Sequence, residues 1–559
     1  MVRKETVKGE LGARFDKYLT RITPFGFSGA LLAAKENEII LNKGYGMAIR
    51  EKGIRNTAQT VFSIGSLTKQ FTAAAILKLE MQGKLNTNDH VSKYIDNVPK
   101  DKDSITIHHL LTHTAGVINY TGEDYDVMRR DETIQKILNS PLLFSPRERF
   151  KYSNAGYSLL AAIIEIVSGQ QYEEYLNEHL FKPAEMAFTG YRIPNWNERV
   201  VANWYIGETN NGTHLGKPYP YWNLLGNGGI LSTTENMYKW YLALKNDAIL
   251  STHAKKKLFR PFLKNYAYGW DVSNSEHGTL IHHDGANDLG SSADFRWFVD
   301  CDIVIILFCN QSYGESPLIF QIRHKIEKLA FGEDIALPPA ILKINPIALR
   351  RFKGKYKLSI GGYVILSIET GALKLTVKGQ DAINVIFSPK QDKYFRYSDL
   401  NYRAKRLFEA LTGGDYSYLR KELEEEERME RWRRLVLNAL NTGEPKGSAK
   451  EIKVIGTLPF PRKEDAMETV VQLKCGKETV TFGLVWREGK LWGMTTEPDY
   501  PFMLFRPVSE QVFVGYHLGL AKNLRVSFNF DNSGFINGLT IHKKDSSVIA
   551  QKVEIAKKN

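Results

Sequence analysis

The stretch Val61-Phe62-Ser63-Ile64-Gly65-Ser66-Leu67-Thr68-Lys69-Gln70, continued by Phe71-Thr72-Ala73-Ala74-Ala75-Ile76-Leu77-Lys78-Leu79, reads as a helix with chemistry at its start. Gly65 allows a tight turn into the helix, Ser66 stands at its N-terminus, good helix formers follow, and Gly83 supplies the stop. Ser66 and Lys69 are three apart, so they share one helical face. A serine hydroxyl is a weak nucleophile until a base takes its proton, and a lysine amine in an apolar pocket can lose enough basicity to serve. A helix N-terminus also offers backbone N–H groups and a positive dipole end to a developing oxyanion. The plain alternative makes Ser66 an N-cap and leaves Lys69 solvated in the first turn. The rest of the chain decides between the two.

Two further stretches supply partners. Phe150-Lys151-Tyr152-Ser153-Asn154-Ala155-Gly156-Tyr157 is a turn running into an apolar helix. Tyr152 can exchange a proton with a serine hydroxyl or a leaving amine when a nearby cation lowers its pKa. Asn154 can accept from Lys69 and donate to a substrate carbonyl, although its bland role is helix N-cap. Ile281-His282-His283-Asp284-Gly285-Ala286 ends an expected strand, on which His283 and Gly285 face one way and Asp284 the other. Gly285 would let a substrate chain come close, and the Ala286 N–H would pair with that of Ser66 as an oxyanion hole. The bland alternative here is an edge strand ending in a glycine turn. No metal site is expected at His282, His283 or the group His108, His109 and His113, because no acidic or Cys ligand accompanies them at a recognisable spacing.

With 559 residues the chain has room for two or three cores. A hydrophobic content of 43% with 25% charged residues is that of a folded globular protein and excludes a disordered chain. The formal charge of +13 is spread among acidic residues, with short runs only at Lys255-Lys256-Lys257 and Lys557-Lys558, so no nucleic-acid partner is expected. Abundant Lys, Arg and Glu with few Cys suits a thermophile. The start has no apolar leader and no run is long enough to span a bilayer, so a cytoplasmic location without membrane contact is expected. Cys301 and Cys309 bracket the apolar strand Ile303 to Phe308 and read as core thiols; with Cys475 they make no disulfide framework or zinc site.

A helix near Gly12 to Ile22 and a hairpin, Ser28 to Ala34 with Ile39 to Gly46, open the chain. Helical patterns and long loops run from Ser66 to about Lys257. Strands return at Ala267 to Val272, Thr279 to His283, Ser292 to Phe298 and Ile303 to Phe308, with a closing helix from Leu318 to Leu329. One antiparallel sheet built from both ends of residues 1–335, with a helical region inserted, gives an α/β layer fold whose cleft lies between sheet and helices. A proline-marked linker, 336–346, leads to residues 347–559. There alternating strands such as Val364/Leu366/Ile368 with Leu373/Leu375/Val377, and Leu524/Val526/Phe528/Phe530 with Leu539/Ile541, predict an antiparallel barrel. Helix-forming sequence near 401–441 interrupts it, with Glu424, Glu427 and Glu430 each four residues before an arginine, which predicts a solvated, salt-bridged helix.

Ser66/Lys69, Tyr152/Asn154 and His283/Gly285 together resemble the penicillin-recognising serine hydrolases: serine β-lactamases, DD-peptidases, related esterases and the CubicO group. That family carries Ser-x-x-Lys, Tyr-x-Asn, and Lys-Thr-Gly or His-x-Gly in this order. Ile107 to Gly116, Gly228 to Thr233 and Tyr268-Gly269-Trp270 share the likeness, which spans roughly residues 10 to 331. It implies a serine β-lactamase-like domain with Ser66 as acylated nucleophile, Lys69 and Tyr152 as general base and acid, Asn154 positioning substrate and His283 lining the third wall. The Ser66 and Ala286 N–H groups would hold the oxyanion, and no metal or organic cofactor is called for. His283 in place of Lys weakens the site for substrate carboxylates and favours peptides, D-residues included, or simple esters. A catalytic domain followed by a lipocalin-like barrel is similar to the archaeal self-compartmentalising CubicO peptidases, which implies a cage-like homo-octamer. The barrel is then part of the assembly or a passive module, with a carried ligand as a further possibility.

The expected activity is therefore that of a serine peptidase acting on small or unfolded peptides. A carboxylesterase or β-lactamase-like hydrolase uses the same acyl-enzyme chemistry and is the nearest alternative. A non-catalytic binding or scaffold protein is the alternative of another class, against which the intact Ser66, Lys69 and Tyr152 argue.

Overall fold

The computed structural model describes residues 5–313, 316–342, 345–369, 371–387, 396–423, 426–440, 451–460, 466–475, 478–495, 502–518, 522–543 and 546–553. Both ends of the first part of the chain meet in one seven-stranded antiparallel sheet. Its order is Thr6–Val7, Glu38–Tyr45, Gly29–Lys35, Ile303–Cys309, Ser292–Phe298, Gly278–Ala286, Asp271–Ser275. The central strand Ile303–Cys309 is buried along its whole length, as expected of an apolar run without alternation. Its side chains divide with a period of two. Val304, Ile306 and Phe308 join Ala30, Leu32 and Ala34 in the core beneath the helical region. Ile303, Ile305 and Leu307 join Leu31 and Ala33 on the other face, against the helices Gly9–Ile22 and Leu318–Ala330. Cys309 is buried there and Cys301 half-buried, both as free thiols. The side chain of Cys475 lies outside the described residues, as do Lys557-Lys558 and the first four residues.

The helix Thr68–Met81 runs through the middle of the helical region and is buried from Thr68 to Leu77 and again at Leu79. A helix covered on all sides is an interior helix, which explains why its sequence lacks a polar stripe. One strand differs from expectation: pairing begins at Asp271 rather than Ala267. Residues 267–270 form a tight turn, with the Ala267 N–H donating to the Trp270 carbonyl at 2.7 Å and Gly269 at φ +73°. A Cβ at Gly269 would stand 2.6 Å from the Lys69 carbonyl oxygen, so this turn is pressed against the start of the buried helix.

Eight antiparallel strands after the linker close into a lipocalin-like barrel: Gly354–Leu358, Tyr363–Glu369, Ala372–Lys378, Phe502–Pro507, Val512–His517, Lys522–Phe530, Ile536–His542 and Ser547–Val553. The first pairs with the last, Tyr356 opposite Lys552. Every strand contributes to one buried cluster, which also takes in Leu349 and Phe352 from the turn Pro346–Phe352. Phe352 packs 4.4 Å from Phe528 and 4.8 Å from Phe513, ring centre to ring centre. The rings of Phe352, Phe513 and Phe528 thus meet in the buried cluster of the barrel.

The interruption of the barrel is wider than 401–441. It starts with the helix Gln380–Phe387 and continues through the helices Tyr397–Gly413, Tyr416–Leu423 and Glu426–Ala439. A separate four-stranded sheet, Glu451–Pro459, Ala466–Cys475, Glu478–Arg487 and Lys490–Thr495, completes it. Helices and sheet share their own core around Leu407, Phe408, Trp432, Phe482 and Trp486. Alternation identifies a strand but not the sheet it joins, which is why these strands read as barrel. The helix Glu426–Ala439 is packed rather than solvated, burying Met429, Trp432 and Val436. Arg428 donates to the Trp492 carbonyl at 3.1 Å, and Glu430 accepts from the Tyr416 hydroxyl at 2.9 Å instead of pairing with Arg434. Glu424 and the side chain of Glu427 lie outside the described residues.

The barrel is packed directly on the first sheet. Tyr516 and Leu518 enter the core of its outer face, Tyr516 lies 5.8 Å from Phe25, and Arg506 donates to the carbonyls of Pro24 and Gly371. Among the described residues no helix is long and apolar enough to cross a membrane.

Candidate active site

The short strand Phe62–Ser63 pairs with Leu231–Ser232 and delivers the chain into a single 3-10 turn, Gly65–Leu67, ahead of the buried helix. Gly65 has φ +52°, and a Cβ there would stand 2.7 Å from the Ala286 nitrogen. A Cβ at Gly285 would in turn lie 2.2 Å from the Ile64 oxygen and 2.6 Å from the Ser66 nitrogen. Two glycines therefore interlock the start of the helix with the end of the strand Gly278–Ala286, and the backbone nitrogens of Ser66 and Ala286 meet at that contact.

Ser66 is not an N-cap. Neither the 3-10 turn nor the helix has a side-chain cap, and the Ser66 hydroxyl instead lies 3.1 Å from Lys69 Nζ, facing a cleft of about 780 Å³. Lys69 is 0% exposed, and burial pushes its pKa well below the usual lysine value. Its amine also lies 2.7 Å from Asn154 Oδ1 and 2.7 Å from the Asn227 carbonyl. Both of those oxygens can only accept. A neutral amine has two N–H donors and one lone pair, so the two acceptors hold the hydrogens and the lone pair turns to the Ser66 hydroxyl.

Asn154 is free for this because its neighbour caps the helix: Ser153 Oγ accepts from the Gly156 N–H at 2.9 Å. Its amide oxygen faces Lys69, which leaves Nδ2 for the cleft. Tyr152 lines the same cleft as Ser66, with Lys69 Nζ 4.8 Å over its ring. No cation lowers its pKa as the sequence reading required; burial raises it, and the phenol keeps its proton. Behind Tyr152 stands His113, at φ +56°, with its ring 4.2 Å from that of Tyr152 and its Nδ1 accepting from the Ser153 N–H at 3.1 Å.

His283 does not line the cleft. It is 4% exposed, with its ring 6.4 Å behind that of Tyr152, its Nδ1–H donating to the Asp284 carbonyl at 2.6 Å and its Nε2 accepting from the Tyr266 hydroxyl at 3.1 Å. Burial pushes its pKa down to about 4, so it is a neutral buried group behind Tyr152. Asp284 points away as the strand period requires and pairs with Arg323 at 3.0 Å. Gly285 is covered by the contact with Ile64 and Ser66.

Asn227, whose carbonyl holds Lys69, was not singled out in the sequence. Its side chain donates to Ser158 Oγ at 2.9 Å and to the Asn223 carbonyl at 2.8 Å, which fixes that carbonyl in place. The signal was the glycine density of Gly226-Asn227-Gly228-Gly229: a Cβ at Gly226 would stand 2.5 Å from the Tyr157 oxygen. The acidic cleft residues Asp124 and Asp288 also passed unnoticed, because loop carboxylates carry no spacing signature. Among the described residues the one grouping of possible metal ligands, Glu276, His277 and Glu333, lies outside the cleft.

The beta-lactamase family model matches residues 25–329 of this chain. A Bacillus subtilis protein named as a penicillin-binding protein, PbpX, is 33% identical over 322 residues, covering 56% of this chain and 78% of that protein. A second penicillin-binding protein of the same bacterium is 28% identical over 406 residues, 66% of this chain and 88% of its own length. Among solved structures, the octameric penicillin-binding protein homologue from Pyrococcus abyssi shares the fold over 97% of this chain and 99% of its own, with a TM-score of 0.53 and 19% identity. The matched family segment contains Ser66, Lys69, Tyr152, Asn154 and the strand Gly278–Ala286, and by that match the chain belongs to the beta-lactamase family.

Proposed function

We propose that the protein is a serine peptidase that hydrolyses small or unfolded peptides, D-residues included, through an acyl-enzyme on Ser66. The observation that carries this reading is the buried Lys69 amine, 3.1 Å from the Ser66 hydroxyl and held by two acceptors. Lys69 takes the hydroxyl proton as Ser66 Oγ bonds to the substrate carbonyl carbon. The Ser66 and Ala286 N–H groups receive the oxyanion, and Asn154 Nδ2 steadies the substrate backbone. The tetrahedral adduct expels the amine, which takes a proton from Tyr152; the proton on Lys69 restores the phenol. Water then attacks the ester and returns a proton to Ser66 by the same groups. His283 and Gly285 act by shaping the wall and the backbone contact.

A protonated phenol supports amide cleavage, since an amine leaving group needs a proton before it departs. The octameric state of the Pyrococcus abyssi homologue, whose layout matches along nearly the whole chain, supports a homo-octamer here. A reducing cytoplasm suits the free thiols Cys301 and Cys309. Mass spectrometry after fluorophosphonate treatment should place the label on Ser66. A panel of L- and D-peptides, esters and β-lactams then tests the substrate: ester turnover without peptide cleavage would overturn the peptidase reading. Light scattering that gives a monomer mass would overturn the octamer.

A further inference from the structure

The cleft in front of Ser66 is acidic on both sides. The loop 120–126 brings Tyr120 and Asp124 to one wall, and the loop after the strand Gly278–Ala286 brings Asp288 to the other. Neither Asp124 nor Asp288 has an ion pair or side-chain hydrogen bond with any described residue, although Asp124 is half-buried. A carboxylate withdrawn from water without a partner is costly, so its retention beside a nucleophile calls for a counter-charge from outside.

The positions are mutually consistent. Tyr120, Asp124, Asn154 and Asp288 line the same cleft as Ser66, and the charge of Asp124 acts on the Lys69 amine. The carboxylates therefore share the cleft that the Ser66 hydroxyl faces. Among the described residues lining the cleft the permanent cation is Lys217, set against the carboxylates of Glu123, Asp124, Asp126 and Asp288. Lys69 is driven toward the free amine, His283 is neutral and behind Tyr152, and Lys217, also lining the cleft, lies 5.4 Å over the Tyr125 ring. What separates this from an acidic surface patch is the nucleophile and base in the same cleft, which already require a substrate to sit there.

We infer that the cleft selects substrates carrying a protonated amine close to the acyl group transferred to Ser66, with Asp124 and Asp288 as its receptors. The amine is either the α-ammonium of an N-terminal residue or the side chain of a basic one. An ammonium can donate to both carboxylates while the Tyr120 ring offers its face. A carboxylate-bearing acyl group would be repelled. The inference rests on the acyl-enzyme reading and adds the charge of the substrate to it.

The test uses the full chain and matched p-nitroanilides: alanine with a free, acetylated or succinylated amine, and N-acetyl-lysine against N-acetyl-norleucine. At least one ammonium substrate is expected to exceed its neutral isostere in kcat/KM by about tenfold, with the gap narrowing in added salt. The first pair identifies an N-terminal amine and the second a basic side chain. Asp124→Asn and Asp288→Asn are each expected to shrink that ratio. Turnover of both neutral isosteres at least equal to that of their ammonium partners overturns the inference, as does a ratio that neither variant changes. Fluorophosphonate labelling keeps the two readings apart. A labelled Ser66 with turnover but no charge preference removes the inference alone, whereas an unlabelled Ser66 and no turnover removes the hydrolase reading with it.

Discussion

Lys69 Nζ lies 3.1 Å from Ser66 Oγ in a position closed to solvent, and its two other neighbours are oxygens that can only accept. In the proposed mechanism Lys69 is the proton acceptor for Ser66, a role its two acceptor neighbours support. Lys69→Ala is expected to slow fluorophosphonate labelling of Ser66 by about 10²–10⁴-fold, the usual worth of a general base. The rate of labelling followed by intact mass measures this directly. A variant that labels at the wild-type rate would place the base elsewhere.

The same burial sets the pH profile. Because the folded pKa of Lys69 lies below its ordinary value, acylation should rise with pH as the amine loses its proton, and level off before the usual lysine range is reached. Asp124 behaves in the opposite sense for stability. Burial and the charge of Asp288 raise it from 3.8 to about 6, so between those values the folded chain keeps a proton that the unfolded chain releases. Its contribution is most favourable below the lower value and is lost as pH rises through the upper one. Asp124→Asn should thus stabilise the protein at pH 8 by about 1 kcal/mol, once solvent screening of a half-buried group is allowed for, and by little at pH 4. Thermal denaturation of both proteins at the two pH values tests it; equal shifts in Tm would count against the raised carboxyl.

Gly285 offers a test of the backbone contact that builds the site. An alanine Cβ would meet the Ile64 oxygen at 2.2 Å and the Ser66 nitrogen at 2.6 Å, and both belong to the backbone that carries the Ser66 hydroxyl. Neither can yield without moving Ser66. Gly285→Ala is expected to cost about 2–4 kcal/mol and to reduce labelling of Ser66 strongly. Gly83→Ala is the control, since its φ of +71° is strained but its Cβ would meet nothing within 4 Å, so it should cost only about 1 kcal/mol and leave labelling intact. Similar losses in both variants would mean that backbone strain, not the contact, matters.

Much of this was legible in the residues because spacing maps onto geometry. Three residues on a helix bring Ser66 to Lys69, and the Tyr-Ser-Asn turn presents Tyr152 and Asn154 in sequence with a serine left over for the cap. The sheet was legible because the apolar run Ile303–Cys309 admits burial on both faces. What could not be read is anything set by contacts distant in sequence. Asn227 acts through a backbone carbonyl, which has no residue signature, and its partner Lys69 is 158 positions away. The sheet Glu451–Thr495 has the same alternation as the barrel, and only packing against Phe408 and Trp432 distinguishes it. Tyr152 was expected to need a cation, but the same burial that favours the unprotonated amine of Lys69 removes that cation.

His283 shows how position overrides residue type. The family pattern allows lysine at this point of the strand, and a solvent-facing lysine there would hold a substrate carboxylate. Here the side chain is buried between Tyr152 and Tyr266, and its Nε2 accepts from the Tyr266 hydroxyl at 3.1 Å. His283→Lys would place an ammonium where the neighbouring groups are rings and a hydroxyl, and would take away an acceptor that Tyr266 uses. The expected result is a loss of about 3 kcal/mol or more in stability, read from urea denaturation, with reduced labelling of Ser66. No gain in turnover of carboxylate-bearing β-lactams should accompany it. A stable His283→Lys protein that hydrolyses a chromogenic cephalosporin faster than wild type would show that this side chain reaches the cleft after all.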